Sequence, residues 1–233
     1  MNIVITGGTK GIGKAIAELF ARKGFNIALC ARTTADLNAV QKELKSANSE
    51  IQIIAEKVDM SIRNQVEAFA EKVIKKWGNI EVLINNAAAF IQGSFLEEPD
   101  DLLENMMATN VLGSYYLTKK LLPGMISSET GHIFNICSIA SEKAYPGCSS
   151  YVVTKHALLG FSRALRLELM DKKIKVTSVM PGATLTNSWA GVKLPKGRIM
   201  AAEDVAKTVW AAYDTGPSAT IEEIVMRPQL GDL

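Results

Sequence analysis

The chain has 233 residues, of which 48% are hydrophobic and 21% charged, enough for one large α/β domain with a substantial core. Its 26 Lys and Arg residues nearly balance 24 Asp and Glu residues, so we expect no nucleic-acid partner. No apolar run approaches the roughly 18 residues of a bilayer span, and the three cysteines follow no zinc-ligand spacing. We therefore expect a cytoplasmic protein without a metal site or a membrane partner.

The first predicted strand, residues 2–6, runs straight into the turn Thr6-Gly7-Gly8-Thr9-Lys10-Gly11-Ile12-Gly13, where a helical pattern begins. Phosphate groups bind bare backbone N–H groups at the N-terminus of a helix, and glycine lets the chain approach them closely. The glycine spacing departs from the G-x-G-x-x-G pattern. The turn predicts a phosphate-binding site, with a purely structural glycine turn as the alternative.

The second predicted strand, residues 25–31, ends at Ala31 and is followed by Arg32. NAD-binding chains usually carry an acidic residue here, which accepts a hydrogen bond from the ribose 2′-hydroxyl. A guanidinium instead pairs with a 2′-phosphate, and Lys10 is predicted to add a second positive charge nearby. These two residues favour NADP(H) over NAD(H).

The third and fourth predicted strands, residues 51–58 and 81–85, also end in polar residues. Asp59 follows the third strand, and two interpretations stay open: it accepts from the adenine amino group, or it caps the next helix together with Ser61. The fourth strand leads into Asn86 and Ala87. A long helical region near residues 100–126 comes next.

The fifth predicted strand, residues 132–137, ends beside Ser138, and Tyr151 and Lys155 follow at the start of a helix from about 150 to 170. Residues four apart share one helix face, so the phenol and the ammonium should be neighbours. A free phenol has a pKa of about 10, and a nearby cation favours the phenolate. With the hydroxyl of Ser138, this set predicts proton transfer to or from a carbonyl oxygen.

The same Tyr-x-x-x-Lys spacing occurs at Tyr115 with Lys119 and at Tyr116 with Lys120. Those pairs lie inside a helical stretch with no strand-end serine before them, so we interpret them as structural or interface residues. Tyr151 instead lies near the carboxyl edge of a strand, where open α/β sheets bind ligands.

The sixth predicted strand, residues 175–180, is followed by Pro181 and by a segment at about 185–200 that lacks a clear period. This segment predicts a substrate lid, with a plain surface loop as the alternative. Strands rich in Val, Ile and Leu alternate with helices along the whole chain. The pattern predicts a single α/β domain over residues 1–233, a Rossmann-like doubly wound parallel sheet of about seven strands with helices on both faces.

Taken in chain order, these motifs resemble those of the short-chain dehydrogenase/reductase family in its compact, single-domain branch. The resemblance covers essentially the whole chain and rests on Thr6-Gly7-x-x-x-Gly11-x-Gly13, Asp59, Asn85-Asn86-Ala87-Ala88, Asn110, Ser138, Tyr151-x-x-x-Lys155 and Pro181-Gly182-x-x-x-Thr186. One position departs from the family pattern, because Ala88 replaces the usual glycine. Alanine fits most conformations outside the left-handed region, so we expect cofactor binding to survive.

The resemblance implies a catalytic tetrad. In it Tyr151 is the acid-base group, and Lys155 binds the nicotinamide ribose and lowers the pKa of the phenol. Ser138 holds the substrate oxygen, and Asn110 positions a water molecule. The expected NADP(H)-binding residues are Gly7, Thr9, Lys10, Gly11, Ile12, Gly13, Arg32, Asp59, Met60, Asn86, Ala87, Tyr151, Lys155, Pro181, Gly182, Thr184 and Thr186.

The expected activity is NADPH-dependent reduction of a ketone or aldehyde, of the carbonyl, sepiapterin-like or 3-hydroxy-acid type. The alternative within the family is a 3-oxoacyl-[acyl-carrier-protein] reductase, which the C-terminal segment disfavours because it lacks a Gly-Gly turn. A non-catalytic NADP-binding sensor is the alternative from a different class, since a fold does not fix function. Homodimers or homotetramers are expected from the resemblance.

Overall fold

The structure of the protein is a computed structural model that describes residues 1–186, 189, 191–195 and 197–232. The strands are β1 (Asn2–Thr6), β2 (Asn26–Ala31), β3 (Ile53–Lys57), β4 (Val82–Asn85), β5 (Gly131–Ile136), β6 (Ile174–Pro181) and β7 (Glu223–Met226). The α-helices are α1 (Gly11–Arg22), α2 (Thr34–Ala47), α3 (Arg63–Trp77), α4 (Leu102–Met107), α5 (Gly113–Ser127), α6 (Ser149–Leu169) and α7 (Ala202–Tyr213).

The seven strands form one sheet in the order β3-β2-β1-β4-β5-β6-β7, and every neighbouring pair is parallel. Parallel neighbours need crossover connections, which the helices between successive strands supply. The predicted doubly wound parallel sheet is thus confirmed. The strand order reverses between β1 and β4, and ligands bind beyond the carboxyl ends of the strands at such a switch point.

Two apolar cores lie on opposite faces of the sheet. Ile3 and Ile5 belong to the core shared with α1, α2 and α7, whereas Val4 belongs to the core shared with α3, α5 and α6. Successive side chains of a strand point to opposite faces, so a continuous apolar run is what a strand covered on both sides requires. This burial fixes the strand ends, and with them the loops that carry polar residues.

The long helical region predicted near residues 100–126 differs in detail from the structure. Between α4 and α5 the chain forms a π-helical turn, Ala108–Leu112, which holds Asn110. Such turns are rare inside helices and are frequently found at functional sites. Elsewhere the predicted strand ends lie within two residues of the observed ones, the usual uncertainty of element boundaries. Across the described part of the chain, no helix is both long and apolar enough to cross a membrane.

Candidate active site

A cavity of about 850 Å³ lies at the carboxyl edge of the sheet. Its wall includes residues from the glycine turn after β1, from the ends of β2, β3 and β4, from the segment after β5, from α6 and from the segment after β6. Of the sequence-predicted site residues, all line this cavity except Gly13 and Asn110. Segments far apart in the chain therefore meet at one concave site.

Two glycine positions of the turn leave no room for a side chain. A Cβ atom on Gly11 would lie 2.8 Å from Cγ2 of Thr186, and one on Gly13 would lie 2.4 Å from the carbonyl oxygen of Gly7. Gly11 also begins α1, whose first N–H groups lack partners within the helix. A cradle of bare backbone at a helix N-terminus fits the phosphates of a dinucleotide.

Asn86 and Thr6 brace this turn against the end of β4. The side-chain amide of Asn86 donates to the carbonyl oxygens of Thr6 and Gly7, at 2.9 and 3.1 Å. In return, the hydroxyl of Thr6 accepts from the backbone N–H groups of Asn86 and Ala87, both at 2.9 Å. These four hydrogen bonds tie two neighbouring strand ends together, so the turn is held in shape before any ligand binds.

Charged residues surround the end of the cavity beside β2 and β3. Lys10, Arg32 and Asp59 all line it. Oδ1 of Asp59 accepts from the hydroxyl and the N–H of Ser61, at 2.7 and 2.9 Å. These contacts lie in the turn before α3, whose N-cap residue is Ile62 and has no side-chain cap, so Asp59 does not cap that helix, and its contact with the adenine stays a prediction. Burial acts to raise the pKa of Asp59, but those hydrogen bonds and the charge of Arg32 outweigh it and lower the pKa.

Tyr151 and Lys155 occupy the first two turns of α6 on the same face. The ammonium of Lys155 lies 5.6 Å from the centre of the Tyr151 ring and donates to the carbonyl oxygen of Ile136 at 2.9 Å. Phe90 packs edge-to-face on the same ring, with centroids 4.9 Å apart. Lys155 is buried, and lysine side chains are rarely buried without a specific partner. The tyrosine ring is thus held between an aromatic ring and an ammonium.

Ser138 extends from the end of β5 toward the same part of the cavity. It begins a short 3₁₀ turn, Ile139–Ser141, and its oxygen accepts from the N–H of Ala140 at 3.1 Å. That bond uses one lone pair and leaves the hydroxyl proton free to rotate toward a ligand. Ser138, Tyr151 and Lys155 therefore present a hydroxyl, a phenol and an ammonium to one cavity.

Asn110 lies behind the cavity wall rather than on it. Its amide donates to the carbonyl oxygen of Ala89 and to the hydroxyl of Thr154, both at 3.0 Å, and its Oδ1 accepts from the N–H of Ala89 at 2.7 Å. Thr154 is the residue directly before Lys155. Asn110 thus connects the loop after β4 to the helix that carries the tyrosine and the lysine, and the π-helical turn brings it into position.

Sequence reasoning missed several residues of the cavity wall. Asp36, in the first turn of α2, forms an ion pair with Lys10, and its proximity to Arg32 in the sequence was the available signal. Asp232 of the C-terminal tail also lines the cavity. Cys137, next to Ser138, lines it as well, but burial raises the pKa of this thiol to about 11, so it stays protonated at neutral pH.

The segment at 185–200 is joined to the C-terminal tail by Arg198. Its guanidinium donates to the carbonyl oxygens of Gly231 and Asp232, at 2.9 and 2.7 Å. Trp189 and Val192 of the same segment line the cavity. Residues 187, 188, 190 and 196 lie outside the described residues, and the lid interpretation of the segment stays a prediction.

A seven-stranded parallel sheet with this strand order, a glycine turn after β1 and a Tyr-x-x-x-Lys helix define a dinucleotide-binding oxidoreductase class. The family model described as short chain dehydrogenase matches residues 1–196. The chain belongs to the short-chain dehydrogenase family.

Two curated proteins are similar to this chain over nearly its full length. A sepiapterin reductase from Chlorobaculum tepidum is 32% identical over 239 aligned positions, which cover 99% of this chain and 97% of that protein. A putative ketoacyl reductase from Streptomyces coelicolor is 31% identical and covers 93% of this chain and 90% of its own length. Both names belong to reductases, which differ in substrate.

Similar solved structures have the same architecture. An alcohol dehydrogenase from the archaeon Thermococcus sibiricus, complexed with 5-hydroxy-NADP, has a TM-score of 0.90 at 26% identity and covers 98% of this chain and 96% of its own. An L-sorbose reductase from Gluconobacter frateurii, complexed with NADPH and L-sorbose, has a TM-score of 0.89 at 26% identity and covers 97% of this chain and 94% of its own.

Proposed function

We propose that this protein is an NADPH-dependent oxidoreductase that reduces a ketone or aldehyde to the alcohol, with Tyr151 as the general acid. The observation that supports it is that Ser138, Tyr151 and Lys155 line the same cavity as the glycine turn. A proton donor and a phosphate cradle in one cavity suit a reaction that adds a hydride and a proton to a carbonyl group.

The choice of NADP(H) rests on the cations at one end of the cavity. Lys10 and Arg32 both line it there, and the residue after β2 is this arginine rather than a carboxylate. Guanidinium and ammonium groups bind phosphate oxygens through charge-assisted hydrogen bonds. Two solved structures similar to this chain are complexes with 5-hydroxy-NADP and with NADPH, which supports the same cofactor here.

The side chains divide the proton chemistry among them. When bound, the nicotinamide supplies the hydride for the carbonyl carbon. Tyr151 gives its phenolic proton to the carbonyl oxygen, Ser138 donates a hydrogen bond to the same oxygen, and Lys155 stabilises the resulting phenolate. Asn110 acts as a positioning residue, because its hydrogen bonds hold Thr154 and Ala89 on either side of the site. In the reverse direction Tyr151 takes the proton from the alcohol.

Two other functions are considered, a 3-oxoacyl-[acyl-carrier-protein] reductase and a non-catalytic NADP-binding sensor. A 3-oxoacyl-[acyl-carrier-protein] reductase uses the same chemistry, and the similarity to a putative ketoacyl reductase keeps it as the second candidate. The similarity to a sepiapterin reductase, over 99% of this chain, favours a carbonyl reductase of the sepiapterin-like or 3-hydroxy-acid type. A non-catalytic sensor does not need proton-transfer groups, so the presence of a serine, a tyrosine and a buried lysine in one cavity favours an enzyme over a sensor.

The experiment measures NADPH consumption at neutral pH with diketones, 3-oxoacyl thioesters and pterins. We expect turnover with one substrate class, and we expect Tyr151→Phe to lower it by about 100- to 10,000-fold while NADPH affinity stays within a few-fold. Absence of turnover across the whole panel would favour the sensor instead. Full activity of the phenylalanine variant would remove Tyr151 from the mechanism.

Tyr115→Phe is the matched control. Lys119 lies 5.7 Å from the centre of the Tyr115 ring, nearly the same distance as Lys155 from Tyr151. Tyr115 is 40% exposed on α5 and does not line the cavity. We expect Tyr115→Phe to leave turnover unchanged. The comparison would then show that turnover needs the hydroxyl of Tyr151 and not that of a tyrosine in a similar pair.

Self-association as a homodimer or homotetramer belongs to the same proposal. The outer surfaces of α5 and α6 expose large apolar side chains, among them Tyr115, Val153 and Leu167. Exposed apolar residues grouped on two helices favour burial against a second copy. Light scattering that gives the mass of a single chain at micromolar concentration would contradict this.

A further inference from the structure

Four charged side chains line the end of the cavity beside β2, and their charges cancel. They are the cations Lys10 and Arg32 and the anions Asp36 and Asp59. Nζ of Lys10 lies 2.7 Å from Oδ2 of Asp36. The charge of Arg32 helps to lower the pKa of Asp59, so the second cation also acts on a carboxylate. Both cations expected to attract a phosphate are therefore already near acidic partners.

Asp36 has an ordinary structural role that does not account for its contacts. It lies in the first turn of α2, where a carboxylate interacts favourably with the helix dipole. That role is satisfied by any orientation toward the helix N-terminus. In this structure, however, the carboxylate reaches Lys10 of the glycine turn, and both residues line the cavity.

The ion pair between Lys14 and Glu43 provides a comparison for the pair formed by Lys10 and Asp36. It joins α1 to α2 at 2.5 Å, whereas Lys10 lies in the turn just before α1, and neither Lys14 nor Glu43 lines the cavity. A link between these helices thus exists away from the site. The pair formed by Lys10 and Asp36 is the one placed where a nucleotide would meet it.

We propose that Asp36 is a cofactor-specificity residue, whose carboxylate competes with the 2′-phosphate of NADP(H) for Lys10. This inference rests on the proposed use of NADP(H). A phosphate dianion with three acceptor oxygens displaces a single carboxylate from the ammonium, but the displaced carboxylate stays close to the phosphate. A cofactor with a 2′-hydroxyl does not enter this competition. Asp36 therefore lowers the preference for NADP(H) below what Lys10 and Arg32 alone would give.

The test measures binding of nucleotide fragments by calorimetry, with wild type and Asp36→Asn. Asparagine keeps the shape of the side chain and removes its charge. We expect the Kd for adenosine 2′,5′-bisphosphate to fall by about three- to tenfold, because a like charge near the phosphate is removed. The Kd for adenosine 5′-monophosphate is expected to change less than about twofold. The gain should shrink as salt is added, since the charges are partly exposed.

Glu43→Gln is the matched control, because it also removes the charge of an acidic residue of α2 that pairs with a lysine, but away from the cavity. It is expected to leave both affinities unchanged. The proposal is overturned if Asp36→Asn leaves binding of the bisphosphate unchanged or weaker, if it strengthens both fragments equally, or if the wild type does not bind the bisphosphate. Failure of the proposed carbonyl reduction has a different signature, namely intact binding of the bisphosphate without NADPH consumption for any carbonyl substrate.

Discussion

At the scale of single residues, Gly13 is the position where the backbone tolerates least change. A Cβ atom there would lie 2.4 Å from the carbonyl oxygen of Gly7 and 2.5 Å from the side-chain amide of Asn86. Gly13→Ala therefore forces apart the turn and the asparagine that braces it. We expect a loss of about 2 kcal/mol in the free energy of unfolding, as for other overpacked sites, together with weaker NADPH binding. Urea titration and fluorescence titration with NADPH measure the two effects.

Gly160 provides the same substitution in the opposite environment. It lies in the middle of α6, and within the described part of the chain a Cβ atom there would meet no atom within 4 Å outside the backbone of its own helix. Alanine in a helix interior loses less conformational entropy on folding than glycine, so Gly160→Ala should raise the free energy of unfolding by about 0.5–1 kcal/mol. Because Gly160 lies between Val153 and Leu167 on the face of α6 proposed for self-association, light scattering should first give this variant the same mass as the wild type. If both variants change stability by the same amount, the close approach at Gly13 is not what limits that position.

The placement of a residue at the cavity could be predicted where it follows from short spacings, and could not be predicted where it depends on how elements pack. The glycine turn, Arg32 and the pair of Tyr151 and Lys155 follow from short spacings, and the structure places all of them on one cavity. The ion pair between Lys10 and Asp36 joins the glycine turn to α2, and its 2.7 Å distance depends on how α2 packs against that turn. No spacing in the chain gives that distance, although the position of Asp36 near Arg32 indicates its neighbourhood.

At the scale of elements, the order of strands and helices could be predicted almost completely, whereas the π-helical turn could not. Continuous apolar runs predict six of the seven strands with their bounds, whereas no predicted bounds correspond to β7, whose residues alternate between exposed and half-buried. The turn Ala108–Leu112 instead lies inside a longer helical pattern, so the sequence predicts a regular helix through it. Its consequence is nonetheless large, because it brings Asn110 within 3.0 Å of Thr154. Hydrogen bonds to other elements, rather than local propensity, specify that turn.

The connection between the segment at 185–200 and the C-terminal tail gives a prediction at this scale. Arg198 donates two hydrogen bonds to backbone carbonyls of the tail, and Asp232 of that tail lines the cavity. Arg198→Ala should loosen the tail, raise the KM for the carbonyl substrate several-fold and leave the NADPH affinity within about twofold. Steady-state kinetics measure both constants, and hydrogen exchange of the tail amides measures the loosening.

Lys193→Ala is the control for that experiment, because Lys193 is an exposed residue of the same segment. It removes a positive charge from the segment without touching the tail contacts of Arg198. An equal rise in KM for the two variants would mean that the charge of the segment matters and the connection to the tail does not.

At the scale of the whole molecule, we expect the pH dependence of stability to reflect a buried histidine on β5. His132 on β5 contacts Thr177 on β6 through Nε2 at 2.7 Å, and the hydroxyl of Thr177 donates to the carbonyl oxygen of Ile221 at 2.5 Å. Since the single hydroxyl proton is used there, Nε2 of His132 must be the donor in their contact. Nδ1 is buried and has no partner within the described structure. Protonating it would place an uncompensated charge inside the sheet.

Burial, with a smaller contribution from the charge of Lys175, lowers the pKa of His132 from 6.5 to about 3. The unfolded chain therefore takes up this proton before the folded protein does, and stability is lost as the pH falls from about 6.5 toward 3. The loss between pH 7 and pH 5 should be about 2 kcal/mol from this group alone. His132→Gln, which cannot titrate, should remove that part of the pH dependence in urea titrations.

The chain has a second histidine, which provides a control for the loss of stability assigned to His132. His156 is exposed on α6, so His156→Gln is the control variant, in which the loss of stability assigned to His132 between pH 7 and pH 5 should persist. Carboxylates with lowered pKa, such as Glu223, contribute to acid sensitivity in all variants and cancel in the comparison. Because His156→Gln leaves one histidine, its ring NMR signal is that of His132. A midpoint near 6.5 for that signal would contradict the buried neutral state, and with it the link between acid unfolding and the centre of the sheet.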